Sequence, residues 1–330
     1  MSEQGCGSGG CSSCGVAGCG SRTAPIEMPK NARKNVSHIV GVVSGKGGVG
    51  KSLVTSLLAS EMRKRGFKVG ILDADITGPS IPKTFGVSNR VSADADGINP
   101  ALSNSGIKIM SINLMLPQDD IPVAWRGPVI TGILKQFWEE TNWEDLNYLF
   151  VDMPPGTSDV FLTVMQTFPI DGIVTVSAPQ ELVAMIVGKA VNLAHDMNVS
   201  VLGLVENMAY FKCDECSKEH YIFGEPQGRF VAKRYQIPAY ATLPLDPAFA
   251  HLCDMGKVEE YNVGHKLDTI IEQIELAAKQ ADEQKAAEKA ASANADAAGA
   301  AGEKAADTAN AAASTNAGAD AAQGSAPEQH

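Results

Sequence analysis

A glycine-rich run that ends in a lysine and a hydroxyl residue stands before the first long helical pattern of the chain. Its residues are Gly45, Lys46, Gly47, Gly48, Val49, Gly50, Lys51 and Ser52. The backbone amides of such a loop can surround an anion, the lysine can neutralise its outer charges, and the serine hydroxyl can bind Mg²⁺. The run therefore predicts a phosphate-binding loop for a nucleoside triphosphate.

A pair of cysteines follows much later, in the sequence Cys213-Asp214-Glu215-Cys216. Two thiolates are half of a tetrahedral ligand shell. His220 and a fourth local ligand would complete a small zinc site, whereas the same pair from a second copy would complete a labile cluster across a twofold axis. A redox disulfide is the third interpretation. The residues alone leave these three open.

Four more cysteines, Cys6, Cys11, Cys14 and Cys19, lie in an N-terminal segment made mostly of glycine and serine. So flexible a segment could close around one zinc ion or one iron-sulfur cluster. An unstructured, redox-sensitive leader is the alternative. Cys253 stands alone among apolar residues and is predicted to belong to the core.

The elements around the glycine-rich run have the order that a phosphate site needs. Residues 38–43 form a short apolar strand, and after Ser52 the apolar residues Leu53, Leu57 and Met62 recur at helical spacing until Gly66. The loop would therefore present the N-terminus of a helix to the phosphates, where free amides and the helix dipole favour negative charge.

Further buried strands are predicted at residues 67–72, 148–151, 172–176 and 201–205, with helical patterns between them. This alternation indicates an α/β fold with a mostly parallel sheet and helices on both faces. Asp73, Asp75 and Asp152 follow two of these strands, so they would lie at the edge where parallel sheets bind ligands. Isolated aspartates in such positions also serve as helix caps, which is the alternative interpretation.

Composition divides the 330 residues into three parts. Residues 1–33 carry the four cysteines, residues 34–277 form the nucleotide-binding domain, and residues 278–330 are an alanine-rich acidic tail. The tail lacks apolar side chains larger than alanine, which predicts disorder with transient helix near residues 281–291.

The formal net charge of −11 argues against a nucleic-acid partner. An apolar run of about 18 residues and a secretory signal are both missing, so no membrane association and a cytoplasmic location are expected.

Several motifs together resemble the Mrp/ApbC family of iron-sulfur cluster carrier ATPases, over about residues 34 to 270. This family belongs to the deviant Walker type of P-loop NTPases, with MinD and the nitrogenase iron protein. The motifs are the glycine-rich run, Asp73-Ala74-Asp75, Trp125-Arg126-Gly127-Pro128, Asp152-Met153-Pro154-Pro155-Gly156, and Val205-Glu206-Asn207-Met208 ahead of the two cysteines.

The resemblance implies roles for the loop residues in binding ATP and Mg²⁺. Lys51 would neutralise the outer phosphates and Ser52 would ligate Mg²⁺. Lys46 would be the signature lysine that reaches the phosphates of the opposite subunit, and Asp75 would position the attacking water.

The resemblance also implies roles for residues outside the loop. Asp73 and Asp152 would help to hold Mg²⁺, directly or through water, and Gly156 would lie near the γ-phosphate in the second switch. Asn207 would recognise adenine, and Pro244 would close the base pocket.

Cys213 and Cys216 would, by the same resemblance, bridge a [4Fe-4S] cluster between the subunits of a homodimer, for delivery to client apo iron-sulfur proteins. Slow ATP hydrolysis would accompany loading or transfer of the cluster. Two other functions are compatible with the motifs: a MinD- or ParA-like positioning ATPase, and a nucleotide-dependent electron-transfer reductase. The first would need a basic or amphipathic surface helix, which the acidic tail does not supply.

Overall fold

The computed structural model describes residues 35–75, 78, 80–95, 97–116, 127–156, 159–179 and 183–290. The predicted N-terminal metal site at Cys6, Cys11, Cys14 and Cys19 lies outside these residues. So do the motif residues Trp125 and Arg126 and the tail beyond residue 290.

A mostly parallel β-sheet runs through the centre of the molecule. Within the described residues it has nine strands, in the order β10-β9-β8-β1-β7-β2-β6-β5, with β11 also paired to β9. Among the described strands of this sheet, only the pairs β5–β6 and β9–β10 are antiparallel. The strands are β1 Asn35–Ser44, β2 Val69–Asp73, β5 Ala101–Leu102, β6 Lys108–Ser111, β7 Asp145–Asp152, β8 Gly172–Ser177, β9 Ser200–Lys212, β10 Glu219–His220 and β11 Ala239–Pro244, and a separate hairpin pairs β3 Ser92–Asp94 with β4 Gly97–Asn99.

Helices cover both faces of the sheet, as the sequence predicts. They are α1 Lys51–Lys64, α2 Ile81–Thr84, α3 Gly127–Glu140, α4 Asp159–Thr167, α5 Val183–Asp196, α6 Gly228–Arg234 and α7 Pro247–Asp254, with 3₁₀ turns at Ile112–Leu114 and Val258–Glu260. A last helix, α8, occupies residues 268–290.

The central strands are buried on both sides, because their successive side chains point to opposite faces. In β1, Val40 and Val42 join the core beneath α1, α7 and α8, whereas Ile39 and Val43 join the core beneath α3, α4 and α5. This double burial explains why the strands read as continuous apolar runs instead of alternating patterns. It also fixes the carboxyl ends of β1, β2 and β7 side by side.

The last helix crosses the domain boundary that the sequence analysis places at residue 277. Residues 278–290 are helical, and polar contacts hold this extension to the sheet. The Lys285 ammonium lies 3.5 Å from a carboxylate oxygen of Asp171, and Asp282 lies 3.4 Å from Nε2 of the buried His38. The sequence predicts a disordered tail with transient helix near residues 281–291, whereas residues 278–290 form a helix that charged side chains hold to the sheet.

Candidate functional site

The glycine-rich loop connects β1 to α1 and has the backbone shape of an anion cradle. Gly48 and Gly50 have φ angles of 77° and 80°, a left-handed conformation that glycine adopts without a steric penalty. A side chain built at Gly47 or Gly48 would meet no atom within 4 Å. The loop thus faces open space next to a helix N-terminus, where its backbone amides could donate hydrogen bonds to a phosphate group.

Lys51 and Ser52 begin α1 and share one carboxylate partner. The Lys51 ammonium lies 2.8 Å from Oδ1 of Asp152 and 3.6 Å from Oδ2 of Asp75. The Ser52 hydroxyl donates to Oδ2 of Asp152 over 2.5 Å, and the Thr55 hydroxyl donates to Oδ1 over 2.8 Å. Because Asp152 is fully buried, its charge requires these partners.

Asp73 ends β2 directly beside Asp152 at the end of β7, with which it is in register. Burial and the neighbouring Asp152 raise the pKa of Asp73 well above its usual value, against the lowering effect of Lys51. Oδ2 of Asp73 accepts a 3.2 Å hydrogen bond from Ser111, and Oδ1 accepts one of 3.2 Å from the amide of Asp75. The three predicted aspartates therefore lie at the same edge of the sheet, close to the Lys51 ammonium.

Gly156 also reaches this edge of the sheet. Its amide donates to the carbonyl of Ser44 over 2.8 Å, its φ angle is 82°, and a built side chain would meet nothing within 4 Å. The segment that follows β7 is thus held against the start of the glycine-rich loop. Lys46 lies in the same loop, partly buried, with its carbonyl accepting a 3.0 Å hydrogen bond from the Ser44 hydroxyl.

Asn207 is brought to the loop from β9. Its side-chain amide nitrogen donates to the carbonyl of Val49 over 3.0 Å, and a Cβ atom at Gly50 would lie 2.2 Å from that nitrogen. The predicted adenine-recognising residue is therefore a structural contact of the loop itself. Adenine recognition by Asn207 stays a prediction, and it could use the carbonyl oxygen or the second N–H of the side-chain amide.

The strand is irregular immediately after this contact. Met208 has a φ angle of 55°, which is unfavourable for a side chain of this size, and the pairing of β9 with β11 shifts register between Thr242 and Pro244. The sequence pattern gave no sign of this bulge, because apolar residues continue through it.

Glu206 precedes the bulge and is fully buried. Its carboxylate accepts hydrogen bonds from the amides of Gln227 (3.1 Å) and Gly228 (2.9 Å) and from the hydroxyl of Tyr240 (2.6 Å). It therefore fixes the start of α6 to the end of the sheet. This role is not among the sequence predictions, although a glutamate inside an apolar strand pattern is a signal for a buried, hydrogen-bonded carboxylate.

The two cysteines lie on a hairpin that extends β9 beyond the sheet. The Cys213 amide donates to the carbonyl of Lys218 over 3.0 Å, and the Ser217 amide donates to the carbonyl of Cys213 over 2.8 Å. Hydrogen bonds from the backbone amides of Cys216 and Glu215 lower the pKa of the Cys213 thiol. Cys213 is partly buried and Cys216 is exposed, so both are accessible as thiolate ligands.

Within the part of the chain that the structure describes, no set of three His, Cys, Asp or Glu side chains could hold a metal ion. His220, the suggested third ligand of a local zinc site, lies in β10 opposite Phe211 of β9. Cys253 is buried in the core as predicted, and burial raises the pKa of its thiol to about 11.

A cleft of about 470 Å³ opens beside the cysteine hairpin. Tyr210, Cys213, Pro244, Asp246 and Lys266 are among its lining residues. The structure thus places Pro244 next to the hairpin, at the outer end of β11. A role of Pro244 in closing a base pocket stays a prediction.

A glycine-rich loop between the first strand and first helix, with carboxylates at the ends of two adjoining parallel strands, defines a P-loop NTPase fold. Solved structures agree. The cell division ATPase MinD of Pyrococcus furiosus aligns with a TM-score of 0.53 at 18% identity, covering 73% of this chain and 99% of that one. A nucleotide-binding protein from Archaeoglobus fulgidus, in complex with ADP, aligns with a TM-score of 0.63 at 44% identity, covering 69% and 89%.

Sequence comparisons identify the family within the P-loop NTPases. The family model of the NUBPL iron-transfer P-loop NTPase matches residues 35–278. An iron-sulfur cluster carrier protein of Clostridium perfringens is 46% identical over 269 residues, which cover 79% of this chain and 94% of the relative. The cytosolic Fe-S cluster assembly factor CFD1 of Kluyveromyces lactis is 37% identical over 242 residues, covering 71% and 85%. This chain belongs to the iron-transfer P-loop NTPase family that its motifs predicted.

None of the described helices combines the length and the apolar character needed to cross a membrane.

Proposed function

We propose that this protein binds and slowly hydrolyses ATP with Mg²⁺, carries a [4Fe-4S] cluster as cargo between two copies of the chain, and transfers it to client apoproteins in the cytosol. The names of its relatives, iron-sulfur cluster carrier protein and cytosolic Fe-S cluster assembly factor, support this function. The P-loop and the cysteine hairpin supply the two sites that it requires.

The proposed nucleotide site would be formed by residues of the glycine-rich loop and of the start of α1. Lys51 would exchange part of its contact with Asp152 for the outer phosphates, and Ser52 would turn its hydroxyl to Mg²⁺, which when bound neutralises charge on the phosphates. Lys46 would reach the phosphates of the second copy. ADP in the related Archaeoglobus fulgidus structure supports nucleotide binding by this chain.

The carboxylates would divide the remaining tasks. Asp75 would orient the attacking water, since it lies 3.6 Å from Lys51 and belongs to the segment after β2. Asp73 and Asp152 would hold the cation directly or through water, and Gly156 would give its backbone to the γ-phosphate. Asn207 and Pro244 would border the adenine base.

Cys213 and Cys216 would each give one thiolate to the cargo. Two thiolates per chain require two chains for a four-ligand cluster. The lowered pKa of Cys213 favours the thiolate form that iron needs. Exposure of Cys216 suits a cargo that must be released.

One observation carries the proposal: a single strand joins the two sites. β9 places Asn207 against the carbonyl of Val49 in the P-loop and ends next to Cys213. A change of the loop on nucleotide binding or hydrolysis would therefore act on the strand that bears the hairpin. Such coupling requires that the two nucleotide states differ in these contacts.

The experiment reconstitutes the full chain anaerobically with iron and sulfide. Wild type is compared with Cys213→Ser/Cys216→Ser, with Asp75→Asn, and with Cys253→Ser as the matched cysteine control. Iron and sulfide are measured, and the cluster is then offered to an apo [4Fe-4S] protein with and without ATP and with and without reductant.

We expect wild type and Cys253→Ser to load and transfer the cluster, and the double variant to lose it. Asp75→Asn should bind ATP but hydrolyse it at least about tenfold more slowly. A cluster that cycles its redox state and never leaves the protein would indicate a reductase instead. A full iron load in the double variant would contradict the proposal.

A further inference from the structure

An apolar segment lies exposed directly after the cysteine hairpin. Tyr221, Ile222 and Phe223 are 44%, 58% and 46% exposed. Three consecutive large apolar side chains in solvent are costly for a free surface and are typical of a contact site.

Hydrogen bonds hold this segment in place at both ends. Its N-terminal end continues from β10, where His220 pairs with Phe211, and the amide of Gly224 donates to the carbonyl of Tyr221 over 3.1 Å. Its C-terminal end leads to Gln227 and Gly228, whose amides bind the buried carboxylate of Glu206. The apolar side chains therefore lie on a turn whose two ends are held by hydrogen bonds.

The size of the exposed surface is that of an interface core. With about 200 Å² for a fully exposed side chain of this size, the three residues expose roughly 300 Å². A stable dimer buries about 800 Å² on each partner, with an apolar centre and a polar rim. The segment would therefore supply more than a third of such a contact.

We propose that Tyr221, Ile222 and Phe223 form the apolar contact by which a second copy of this chain docks beside the cysteine hairpin. This inference rests on the proposed function, because a shared cluster brings the two hairpins together at a twofold axis. The segment begins five residues after Cys216, so even an extended chain keeps it within about 20 Å of that cysteine. It must then lie near the axis.

The chemistry of the segment is also compatible with contact to a copy of itself. At a twofold axis the same patch faces itself, so any charge in it would meet a like charge. Residues 221–224 read Tyr-Ile-Phe-Gly and carry no charge. Contact between two such segments would also shield the cluster ligands from water.

The test compares wild type with Ile222→Asp and Phe223→Asp, two changes at exposed positions. Met255→Asp is the matched control, since Met255 is 53% exposed and lies after α7, away from the cysteine hairpin in sequence. Sedimentation velocity over a concentration series is run anaerobically on cluster-loaded protein, and iron per chain and transfer to an apoprotein are measured on the same samples.

We expect each segment variant to raise the dimer dissociation constant at least about tenfold and to lose iron on dilution, while Met255→Asp behaves as wild type. Variants that dimerise and keep iron as wild type does would overturn the docking surface and leave the proposed function standing. So would variants that dimerise normally but fail in transfer, since the surface would then bind the client. Wild type that keeps its full iron load as a monomer would overturn the shared cluster itself.

Discussion

Removal of the P-loop lysine should destabilise the nucleotide-free protein. Lys51 is the cation 2.8 Å from Asp152, which is fully buried, and it also lowers the pKa of Asp73. Loss of one partner of a buried ion pair costs about 3–5 kcal/mol, since the other charge stays buried. We expect Lys51→Met to lower the free energy of unfolding by about 3 kcal/mol, the lower end, because proton uptake by Asp73 offsets part of the cost.

The pH dependence of this loss has a defined sign. Asp73 has a raised pKa in the folded state, so protonation stabilises the fold at low pH, and this stabilisation is lost as the pH rises through the folded-state pKa. Removing Lys51 raises the pKa of Asp73 further. The stability difference between Lys51→Met and wild type should therefore be larger at about pH 8 than at about pH 5.

Urea denaturation of the nucleotide-free chain at both pH values measures this prediction. Lys46→Met is the matched control, because Lys46 lies in the same loop but is only partly buried. It should change the free energy of unfolding by less than about 0.5 kcal/mol at either pH. Equal losses for the two variants, or a loss for Lys51→Met that is greater at low pH, would refute the electrostatic argument.

Three further outcomes are expected. Gly50→Ala should weaken ATP binding at least about tenfold in calorimetric titration and destabilise the apoprotein by about 2 kcal/mol. The reason is that φ at Gly50 is 80° and the new Cβ would lie 2.2 Å from the side-chain amide nitrogen of Asn207. Gly47→Ala, where a Cβ would meet no atom within 4 Å, should leave the stability of the apoprotein unchanged. Tyr240→Phe removes the hydroxyl that donates a 2.6 Å hydrogen bond to the buried Glu206, and it should lower the free energy of unfolding by about 1–2 kcal/mol in urea denaturation. An unchanged midpoint would show that this hydrogen bond contributes nothing to stability. In reduced, iron-free protein at about pH 7.5, iodoacetamide should alkylate Cys213 at least about a hundredfold faster than Cys253, whose pKa is about 11, and mass spectrometry that finds Cys253 modified first would contradict the assigned environments.

The positions of the glycine-rich loop and of the aspartates beside it were largely predictable from the sequence. The glycine-rich run predicted the position of the loop. The aspartates that follow two apolar strands were predicted to lie at the same edge of the sheet, because the carboxyl ends of parallel strands meet there. Asp73 and Asp152 are in register in the structure. Local sequence patterns were sufficient to predict this arrangement, because the apolar periodicity of each strand and helix and the residues at its ends can be read from the sequence.

Contacts between distant segments were not predictable in this way. Thr55 supports Asp152 and Ser111 supports Asp73 through hydroxyl groups that carry no motif. The hydrogen bond from the Gln227 amide to the Glu206 carboxylate joins residues 21 positions apart, and it depends on the path of the chain through the hairpin. The polar docking of residues 278–290 likewise depends on where His38 and Asp171 lie in the folded sheet.

The central claim is that two copies of the chain share one cluster through Cys213 and Cys216. The direct measurement is the mass of the anaerobically reconstituted protein in solution together with iron and sulfide per chain, with and without ATP. We predict one bridging [4Fe-4S] cluster for each pair of chains in a dimer, and loss of that bridging cluster in Cys213→Ser/Cys216→Ser. A protein that is monomeric under every nucleotide condition and still carries its full iron load would contradict the claim.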